Sequence, residues 1–333
     1  MGKTLAELQE VALSVGLQKF AGKQLAEWLY VRRVSSFEEM TNISLKGREA
    51  LQAHYSIGRH APVREAVSTD GTRKYLFEIQ APTANANARF VETVYIPEED
   101  RATLCVSSQV GCKMGCRFCM TGTLGFHGQL SAADILNQIF YFDDLTNLVF
   151  MGEGEPMDNL DNVLRSLEIM TAPYGCAWSP KRITVSTVGI PAMKRFLDES
   201  ECHMAVSMHN PFAVERAQIM PAEKMMPITE VVKLLKQHDW SHQRRVSFEY
   251  ICWPSNTTMR HAKEMLRLLK GLNCRVNLIR FHEGVDRDFP ASDEQQMVFF
   301  RDYLTEHGLT TTIRRSRGED ILAACGMLVN ALQ

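Results

Sequence analysis

The chain has 333 residues, 45% hydrophobic and 23% charged, which is ordinary for a globular protein and predicts one large domain plus an accessory domain. Its formal net charge of −2 excludes a bulk basic field that would attract nucleic acid, although local patches could still contact phosphates. No apolar stretch approaches a membrane span, and nine cysteines without an apolar signal core at the amino terminus favour a reducing cytoplasmic compartment. A monomer is the default expectation.

The amino-terminal part is predicted to be helical, because apolar residues recur at helical spacing from residue 4 to about 56. Within it, the segment Val34–Met40 has the sequence of a capped helix start. Two strands are expected next, Lys74–Ile79 and Phe90–Ile96, on either side of the polar loop Pro82–Ala88. These patterns predict a small helical domain followed by a short β extension.

From residue 102 onward strands and helices alternate, which predicts a mainly parallel sheet with helices outside it. The expected strands are Thr103–Val106, Leu148–Met151, Ile183–Val185, Met204–Val206, Val246–Ile251, Val276–Ile279 and Thr310–Ile313, and the helices include Ala132–Phe142, Leu160–Ile169, Ile228–Gln237, Met259–Leu272 and Asp293–His307. Roughly six units indicate an α/β fold built as a partial (β/α)6-type barrel, whose chemistry gathers at the carboxyl ends of the strands. We therefore divide the chain into a helical accessory domain, 1–70, a β extension, 71–101, and the barrel, 102–333.

Three cysteines stand close together in the run Cys112-Lys-Met-Gly-Cys116-Arg-Phe-Cys119. Structural zinc takes a closed set of four ligands, and no second C-x2-C pair lies nearby to complete one. A [4Fe–4S] cluster is held by cysteine thiolates, normally four, so three ligands would leave one iron open. The run therefore predicts a cluster with an open iron; zinc and unligated thiols are the alternatives.

The cysteine run resembles that of the radical S-adenosylmethionine (SAM) superfamily. The resemblance implies that the open iron binds the amino and carboxylate groups of SAM, and that one electron from the cluster splits SAM into methionine and a 5′-deoxyadenosyl radical. Gly154 and Glu155, after the second expected core strand, match the segment with which the superfamily grips the SAM amino group. A carboxylate at a strand end suits an ammonium ligand, whereas an isolated run of this kind reads as a turn with solvated acids.

Two further strand ends carry polar side chains. Ser186 ends one strand, where its hydroxyl could bond a ribose or merely cap the following helix. Ser207, Met208 and His209 end the next strand, and a single histidine in such a place is more often structural than functional. Both segments nevertheless resemble the SAM-binding strand ends of one family.

That family is the RlmN/Cfr family of radical-SAM RNA adenosine methyltransferases, and the resemblance is strongest to its RlmN type. It rests on the segment from Glu92 to Cys112, the ending Arg317–Gly326, and the amino-terminal runs Trp28–Tyr30 and Phe37–Ile43, and so spans nearly the whole chain. The family methylates an adenosine of 23S ribosomal RNA, and the RlmN type also acts on tRNA. The resemblance implies carbon 2 of adenine as the target, one [4Fe–4S] cluster, two SAM molecules per turnover and a one-electron donor such as flavodoxin.

The chemistry of carbon 2 explains two more cysteines. This carbon is electron-poor, so it cannot simply attack the methyl group of SAM. In the family one SAM first methylates a cysteine, here Cys325, and the radical from a second SAM removes hydrogen from that S-methyl group. The carbon radical then adds to adenine. A base takes up the C2 proton, and Glu92 matches the family position proposed for this base. Attack by Cys105 finally releases the product and leaves a Cys105–Cys325 disulfide. Outside such contexts cysteines read as small buried residues, as do Cys176, Cys202, Cys252 and Cys274.

Local basic clusters are expected to contact the RNA. They are Lys181-Arg182, Arg244-Arg245 and, near Cys325, Arg314-Arg315 with Arg317. A few phosphate contacts of this kind would make the affinity depend on salt, and the adenine would also have to leave its stack. Solvated surface charge is the alternative for each cluster.

Three positions depart from the family pattern. His282 occupies the place of an asparagine that contacts SAM; its imidazole can still form a hydrogen bond, so we expect a different contact there. The segment Trp253–Thr258 replaces a Gly-Val-Asn-Asp turn, and Lys113–Gly115 differs from the usual residues between the first two cluster cysteines. These departures indicate a divergent branch whose substrate choice could have drifted.

Three functions remain open. The first is an RlmN-type enzyme acting on carbon 2, which the aligned context and the accessory domain favour. The second is a Cfr-type enzyme, with the same fold and cysteines, which methylates carbon 8. The third is an RNA-binding protein whose cluster is structural or senses redox state; the contexts of Cys105 and Cys325 argue against it.

Overall fold

The computed structural model describes residues 1–79, 89–240, 245–281, 289–290 and 293–328. The expected polar loop Pro82–Ala88 lies outside these residues. Where the chain is described, none of its helices combines the length and apolarity needed to cross a bilayer.

The amino-terminal region is helical, as predicted. Helices α1, α2 and α3 span Leu5–Ser14, Ala21–Ala26 and Leu45–His54, and a π-helical turn, Glu27–Val31, continues α2. A capping box fixes the start of α1, because Thr4 accepts the backbone N–H of Glu7 while the Glu7 carboxylate accepts that of Thr4.

The expected helix start at Val34–Met40 is wrong. The local contact is present, since Glu39 Oε1 accepts the backbone N–H groups of Ser35 and Ser36 at 3.0 and 2.8 Å. The chain then continues through successive turns, in which Met40 and Ile43 each bond the carbonyl three residues earlier and bury their side chains. Tertiary burial of these apolar residues therefore overrides the capping signal.

A ten-stranded mixed sheet organises the rest of the described chain. Its strands are β1 Arg64–Val67, β2 Arg73–Ile79, β3 Arg89–Glu98, β4 Arg101–Cys105, β7 Asn147–Phe150, β8 Ile183–Thr187, β9 His203–Ser207, β10 Val246–Cys252, β11 Cys274–Arg280 and β12 Thr311–Ile313. Strands β5 Gln109–Gly111 and β6 Phe126–Gln129 form a separate hairpin. In the ten-stranded sheet the strands β1, β2, β3 and β4 pair antiparallel, and β4, β7, β8, β9, β10, β11 and β12 pair parallel. This confirms the α/β fold and each of the seven expected core strands.

Helices alternate with the parallel strands and cover the sheet. They are α4 Met120–Thr123, α5 Ala132–Phe140, α6 Leu160–Thr171, α7 Met193–Glu199, α8 Ala213–Ile219, α9 Ile228–Gln237, α10 Met259–Leu269 and α11 Glu294–Glu306. The buried side of α9, for example, carries Ile228, Val231, Val232 and Leu235 at helical spacing. The five expected helices are all confirmed, with ends that differ by a few residues.

The β extension is continuous with the barrel. Strand β3 pairs with β4 in a register that sets Val94 opposite Cys105, so the extension and the barrel share one sheet. Strand β1 and the β5–β6 hairpin were not expected from the sequence, and β1 begins before residue 71. The three-domain division itself stays a prediction.

The sheet does not close within the described residues, so the barrel is partial. Strand β1 forms one edge with four residues, and β12 forms the other with three. The carboxyl ends of β7, β8 and β9 lie side by side because these strands are parallel neighbours. This arrangement places the residues singled out by the sequence along one rim.

Candidate functional site

The three clustered cysteines lie on a loop that the β5–β6 hairpin holds in place. Gly111 ends β5 with φ +70°, and a Cβ there would lie 1.9 Å from the carbonyl oxygen of Gly125, so glycine is required. The next residue, Cys112, donates its N–H to that same carbonyl at 2.9 Å. Cys112, Cys116 and Cys119 all line one cavity of about 140 Å³, which we name the cluster cavity.

The chemistry of this donor set fits a cluster held by thiolates. Burial raises the pKa of all three thiols, that of Cys112 to about 12, and the neighbouring sulfurs raise the pKa of Cys116 further. Metal coordination deprotonates such thiols outright, and soft thiolate sets select iron–sulfur clusters. Among the residues described here, no three metal-ligating side chains already converge on one point, so the cysteines share a cavity without being drawn together.

The glycine-rich run after β7 lines the same cavity with Gly154 and Glu155. Gly154 has φ +97°, and a Cβ there would lie 2.5 Å from the Gln109 side chain, so only glycine allows this approach to β5. The Glu155 carboxylate accepts the N–H groups of Met157 and Val188 at 3.1 and 2.9 Å. Burial raises the pKa of Glu155 to about 7, although its hydrogen bonds act in the opposite direction. The carboxylate retains lone pairs for a cationic ligand.

The ends of β8 and β9 contribute Ser186, Ser207 and His209 to the cluster cavity. The Nδ1 atom of His209 accepts the N–H of Ile251 at 3.0 Å, and its ring packs edge-on against Phe118 with centroids 4.6 Å apart. Burial lowers the pKa of His209 to about 3, so the imidazole is neutral. With Nδ1 accepting, the proton lies on Nε2, which makes His209 a hydrogen-bond donor through that atom.

Cys325 joins two cavities. It lines the cluster cavity and, together with Cys105, a second cavity of about 80 Å³, which we name the thiol cavity. Cys105 packs with Val94, Ala323 and Leu328 in one apolar cluster. All nine cysteines are free thiols, so these two are not bonded to each other. Burial raises the pKa of Cys105 to about 12, and the adjacent Cys325 adds to the effect.

Residues 317–328, which we name the Cys325 segment, are attached at their beginning to the turn between β1 and β2. The Asp320 carboxylate accepts the hydroxyl of Ser68 at 2.5 Å and the backbone N–H of Thr69 at 3.0 Å. Asp70, from the same turn, accepts the N–H of Gly318 at 3.1 Å. Polar side chains thus fasten the segment to the β extension.

The far end of the Cys325 segment is attached to the cluster loop. The carbonyl of Gly326 accepts the N–H of Met120 at 2.8 Å, and that of Leu328 accepts the hydroxyl of Thr121 at 2.9 Å. Both donors directly follow Cys119 in the sequence. The position of Cys325 is therefore set from the β extension on one side and from the cluster loop on the other.

Glu92 lies near the thiol cavity but lines neither cavity. It is 2% exposed and forms an ion pair with Lys74 at 2.9 Å. Its backbone N–H bonds the carboxylate of Glu153 at 2.8 Å, and the other Glu153 oxygen accepts the N–H of Gly111 at 3.2 Å. Burial raises the pKa of Glu153 to about 8. Alternation along β3 puts Glu92 on the same face as Val94.

Comparison with known proteins identifies the family. Residues 1–57 match the family model "Ribosomal RNA large subunit methyltransferase N-terminal domain", and residues 106–269 match "Radical SAM superfamily". The chain is 56% identical to the "Probable dual-specificity RNA methyltransferase RlmN" of Phocaeicola vulgatus, over 100% of this chain and 95% of that protein. It is 37% identical to the "Dual-specificity RNA methyltransferase RlmN" of Syntrophus aciditrophicus, over 98% of this chain and 94% of that one. The chain belongs to the RlmN family of radical SAM methyltransferases.

A solved structure agrees with this assignment. The crystal structure of a radical SAM methyltransferase from Sphaerobacter thermophilus has a TM-score of 0.90 and 34% identity to the chain, covering 99% of this chain and 98% of that one. The resemblance drawn from the sequence is thereby confirmed. Membership of the radical SAM superfamily implies a [4Fe–4S] cluster and SAM as cofactors.

The structure brings together most of the residues that the RlmN resemblance singled out. Those that line the cluster cavity are Cys112, Cys116, Cys119, Gly154, Glu155, Ser186, Ser207, His209 and Cys325. Cys105 lines the adjoining thiol cavity, whereas Met208 is wholly buried and lines neither. His282 and Arg244 lie outside the described residues. The roles given to all of these residues stay predictions.

Arg216 is a residue that the sequence reasoning missed. It is fully buried, its Nε donates to the carbonyl of Met208 at 3.0 Å, and its Nη2 donates to the carbonyls of Val188 and Ser207 at 2.6 and 2.9 Å. It also forms an ion pair with the buried Glu223. One side chain thus joins the ends of β8 and β9, and an arginine on a helix gives no such signal because it usually reads as solvated.

Arg314 and Arg317, expected to contact RNA, both have partners inside the protein. Arg314 is bonded to Glu249 at 3.4 Å and lines the thiol cavity, and the charge of the nearby Cys325 raises its pKa. Arg317 lies 3.9 Å from Asp70 and 3.6 Å from Glu98. The first guanidinium is therefore placed beside the thiols, and the second helps to attach the Cys325 segment.

Proposed function

We propose that this chain methylates carbon 2 of an adenosine in 23S rRNA, and also accepts tRNA, through a methyl group carried on Cys325. The observation that carries the proposal is the position of Cys325, which borders both the cluster cavity and the thiol cavity of Cys105. A sulfur that first receives a methyl group and then yields it needs access to both places. The RNA substrate is supported by the names of the relatives, which are RNA methyltransferases.

In this proposal the cluster cysteines Cys112, Cys116 and Cys119 hold a [4Fe–4S] cluster. When bound, the cluster and SAM would supply a radical able to remove a hydrogen atom from a methyl group. Glu155 accepts hydrogen bonds from the SAM ammonium group, and the Nε2–H of His209 and the hydroxyls at the same rim donate to the rest of SAM. Two SAM molecules are used per turnover, because one supplies the methyl group on Cys325 and the other the radical. A donor such as flavodoxin provides the electron.

The remaining steps fall to side chains of the barrel and the extension. After the methyl carbon has bonded to adenine, the thiolate of Cys105 attacks the Cys325 sulfur. A sulfur–sulfur bond forms and the carbon–sulfur bond breaks with its electron pair left on the methylene carbon, which takes up a proton to become the methyl group of the base. Before this attack the adduct must lose the C2 proton and one electron, which the bound cluster would accept. The Arg314 guanidinium lies beside both sulfurs and stabilises the attacking thiolate.

Glu92 is the proton acceptor for the C2 proton in this scheme. Its carboxylate is paired with Lys74, and it shares a strand face with Val94, the residue opposite Cys105. We also propose that residues 1–70 form the accessory domain that binds RNA, next to the extension, 71–101, and the barrel, 102–333, and that the protein acts as a monomer.

Nucleoside mass spectrometry tests the proposal. The cluster is reconstituted without oxygen, and SAM, a reductant and either 23S rRNA or tRNA are supplied. We expect 2-methyladenosine from the wild type, none from Cys325→Ala, and a protein–RNA adduct that accumulates with Cys105→Ala. Cys274→Ala, which alters a cysteine outside both cavities, is the matched control and should retain activity.

The products also separate the alternatives. An 8-methyladenosine product would replace the carbon-2 assignment with the Cfr type. SAM cleavage without any methylated adenosine would point to another substrate. Absence of SAM cleavage on reduction would favour a non-catalytic iron–sulfur protein that binds RNA.

A further inference from the structure

The barrel has a second opening, at the amino ends of its strands, that is lined by cationic side chains. Arg101 is the first residue of β4, and Arg275 is the second residue of β11. Lys181 lies two residues before β8, and Arg245 lies one residue before β10. All four are exposed and line one cavity of about 410 Å³. We name these four residues the cationic mouth. Because β4 and the strands from β7 to β12 are parallel, the mouth lies at the opposite end of the sheet from the cluster cavity.

The side chains that line the barrel change in character from the mouth to the thiols. Every second residue of three strands faces the interior. The series is Arg101, Thr103 and Cys105 in β4; Asn147, Val149 and Met151 in and just after β7; and Arg275, Asn277 and Ile279 in β11. A cation or amide comes first, Thr103, Val149 or Asn277 comes second, and a thiol or apolar group comes last. At about 3.3 Å per residue, the four steps from Arg101 to Cys105 span roughly 13 Å.

The cationic mouth concentrates positive charge in a chain whose net charge is −2. Among the described residues that line this cavity, five are cationic, Arg314 included, and the one carboxylate is Glu249. Arg101 also forms an ion pair with Glu98, which does not line the cavity. Glu249 lies deep in the barrel, where it bonds Asn277 at 2.8 Å and Arg314 at 3.4 Å. Several cationic side chains around one opening raise its electrostatic potential, and low-dielectric walls focus their field toward an approaching anion.

We propose that the cationic mouth binds the phosphates on either side of the target adenosine, so that RNA approaches the barrel from the amino ends of the strands. The base passes inward to Cys105 and Cys325. This inference rests on the proposed function and adds the route and the contacts. This order of side chains matches an extruded nucleotide, with phosphate at the guanidinium groups, ribose beside Thr103 and Asn277, and base at the thiol and apolar groups. SAM and RNA then occupy opposite ends of the same strands.

The test measures RNA binding rather than turnover. Filter binding of radiolabelled 23S rRNA and tRNA transcripts to the cluster-loaded protein is followed from about 50 to 200 mM salt. Arg245→Gln/Arg275→Gln removes two mouth charges. Lys263→Gln/Arg267→Gln removes two charges from exposed positions of α10 and is the matched control.

We expect the mouth variant to bind about tenfold more weakly at low salt and to reduce the slope of log affinity against log salt by about two. The control should keep the wild-type slope. Equal losses in both variants, or an unchanged slope in the mouth variant, would overturn the inference, provided that melting temperatures show both to be folded. If the double variant does not fold, the single variant Lys181→Gln replaces it and should reduce the slope of log affinity against log salt by about one.

The two proposals fail in different ways. If the wild type forms 2-methyladenosine but the mouth variant keeps the wild-type salt slope, only the role of the mouth is overturned. If the mouth variant reduces the salt slope of RNA binding but the wild type never methylates adenosine, only the proposed function is overturned.

Discussion

The strand ends and the Cys325 segment both border the cluster cavity, but they are held there by different kinds of contact. The strand ends are joined by the fully buried Arg216, which bonds three carbonyl groups and Glu223. The Cys325 segment is joined to the β1–β2 turn by the carboxylates of Asp320 and Asp70, near the protein surface. Buried contacts are costly to break, whereas half-exposed polar contacts exchange with water at little cost.

The comparison teaches that the site combines a fixed part with a releasable part. The ends of β8 and β9 cannot separate without leaving a buried guanidinium and several carbonyls unsatisfied. The Cys325 segment can open at its amino side while Gly326 and Leu328 still hold the other side. In the proposed reaction the Cys325 sulfur receives a methyl group, is joined to the base through that carbon and then meets Cys105, and an attachment that can open would allow these changes of position.

The largest effect is expected from Arg216→Met, which breaks the fixed part. Loss of the guanidinium leaves Glu223 buried without its cation, which costs about 3–5 kcal/mol of unfolding free energy. Urea unfolding of the cluster-free protein measures this. Arg195→Met removes an arginine with two exposed ion pairs and should change the unfolding free energy little. A loss for Arg216→Met as small as that of the control would show that the strand ends are held by something else.

A smaller effect is expected from Asp320→Asn, which loosens the releasable part. The amide replaces a charged acceptor of two hydrogen bonds, so the segment opens more often. We expect the backbone N–H groups of Gly318 and Ala323, which are hydrogen-bonded in the attached segment, to exchange with deuterium roughly three- to tenfold faster, the range that one net hydrogen bond supplies, with little change in melting temperature. Peptide mass spectrometry measures the rate. Asp198→Asn, at an exposed position of α7, is the control, and equal rates in both variants would contradict the attachment.

The smallest effect concerns pH and Asp70. Burial alone would raise the pKa of Asp70, but hydrogen bonds from Thr72, Gly318 and Ser68 outweigh it and hold the pKa at about 2, below the ordinary value of 3.8. The carboxylate therefore stabilises the fold fully above about pH 4 and loses this contribution as pH falls through about 2. Unfolding free energies between these pH values should fall more steeply in the wild type than in Asp70→Asn. Parallel curves would show that Asp70 does not hold the segment.

The predictable part of the site is the part whose geometry follows from local spacing. Cys112, Cys116 and Cys119 are neighbours in the chain, and Glu155 and His209 could be placed because each follows a recognisable parallel strand. The contacts that assemble these pieces join distant residues: Arg216 reaches Val188 across 28 positions, and Glu153 reaches Glu92 across 61. No spacing in the sequence marks such partners.

The same limit explains the elements that were missed. Strand β5 has three residues, too few to show alternation, and β1 is mostly exposed, so neither produces an apolar pattern. The helix expected at Val34–Met40 shows the reverse error, in which a local capping signal is correct but burial decides the path of the chain. Lys181 and Arg245 belong to basic clusters that the sequence predicts to contact RNA, but Arg101 and Arg275 do not. The cationic mouth as a whole could not be predicted, because its four members lie at the beginnings of four different strands and acquire a common location only in the folded sheet.

The open sheet also bears on the behaviour of the protein at high concentration. A barrel that stays open to admit a macromolecule exposes two strand edges, and such edges invite pairing with other chains. Here one edge, β12, has three residues, and the other, β1, has four with Arg64 and Glu65 exposed among them. Short and charged edges offer few consecutive backbone groups to a second molecule. The fold thus keeps its interior accessible without presenting a template for aggregation.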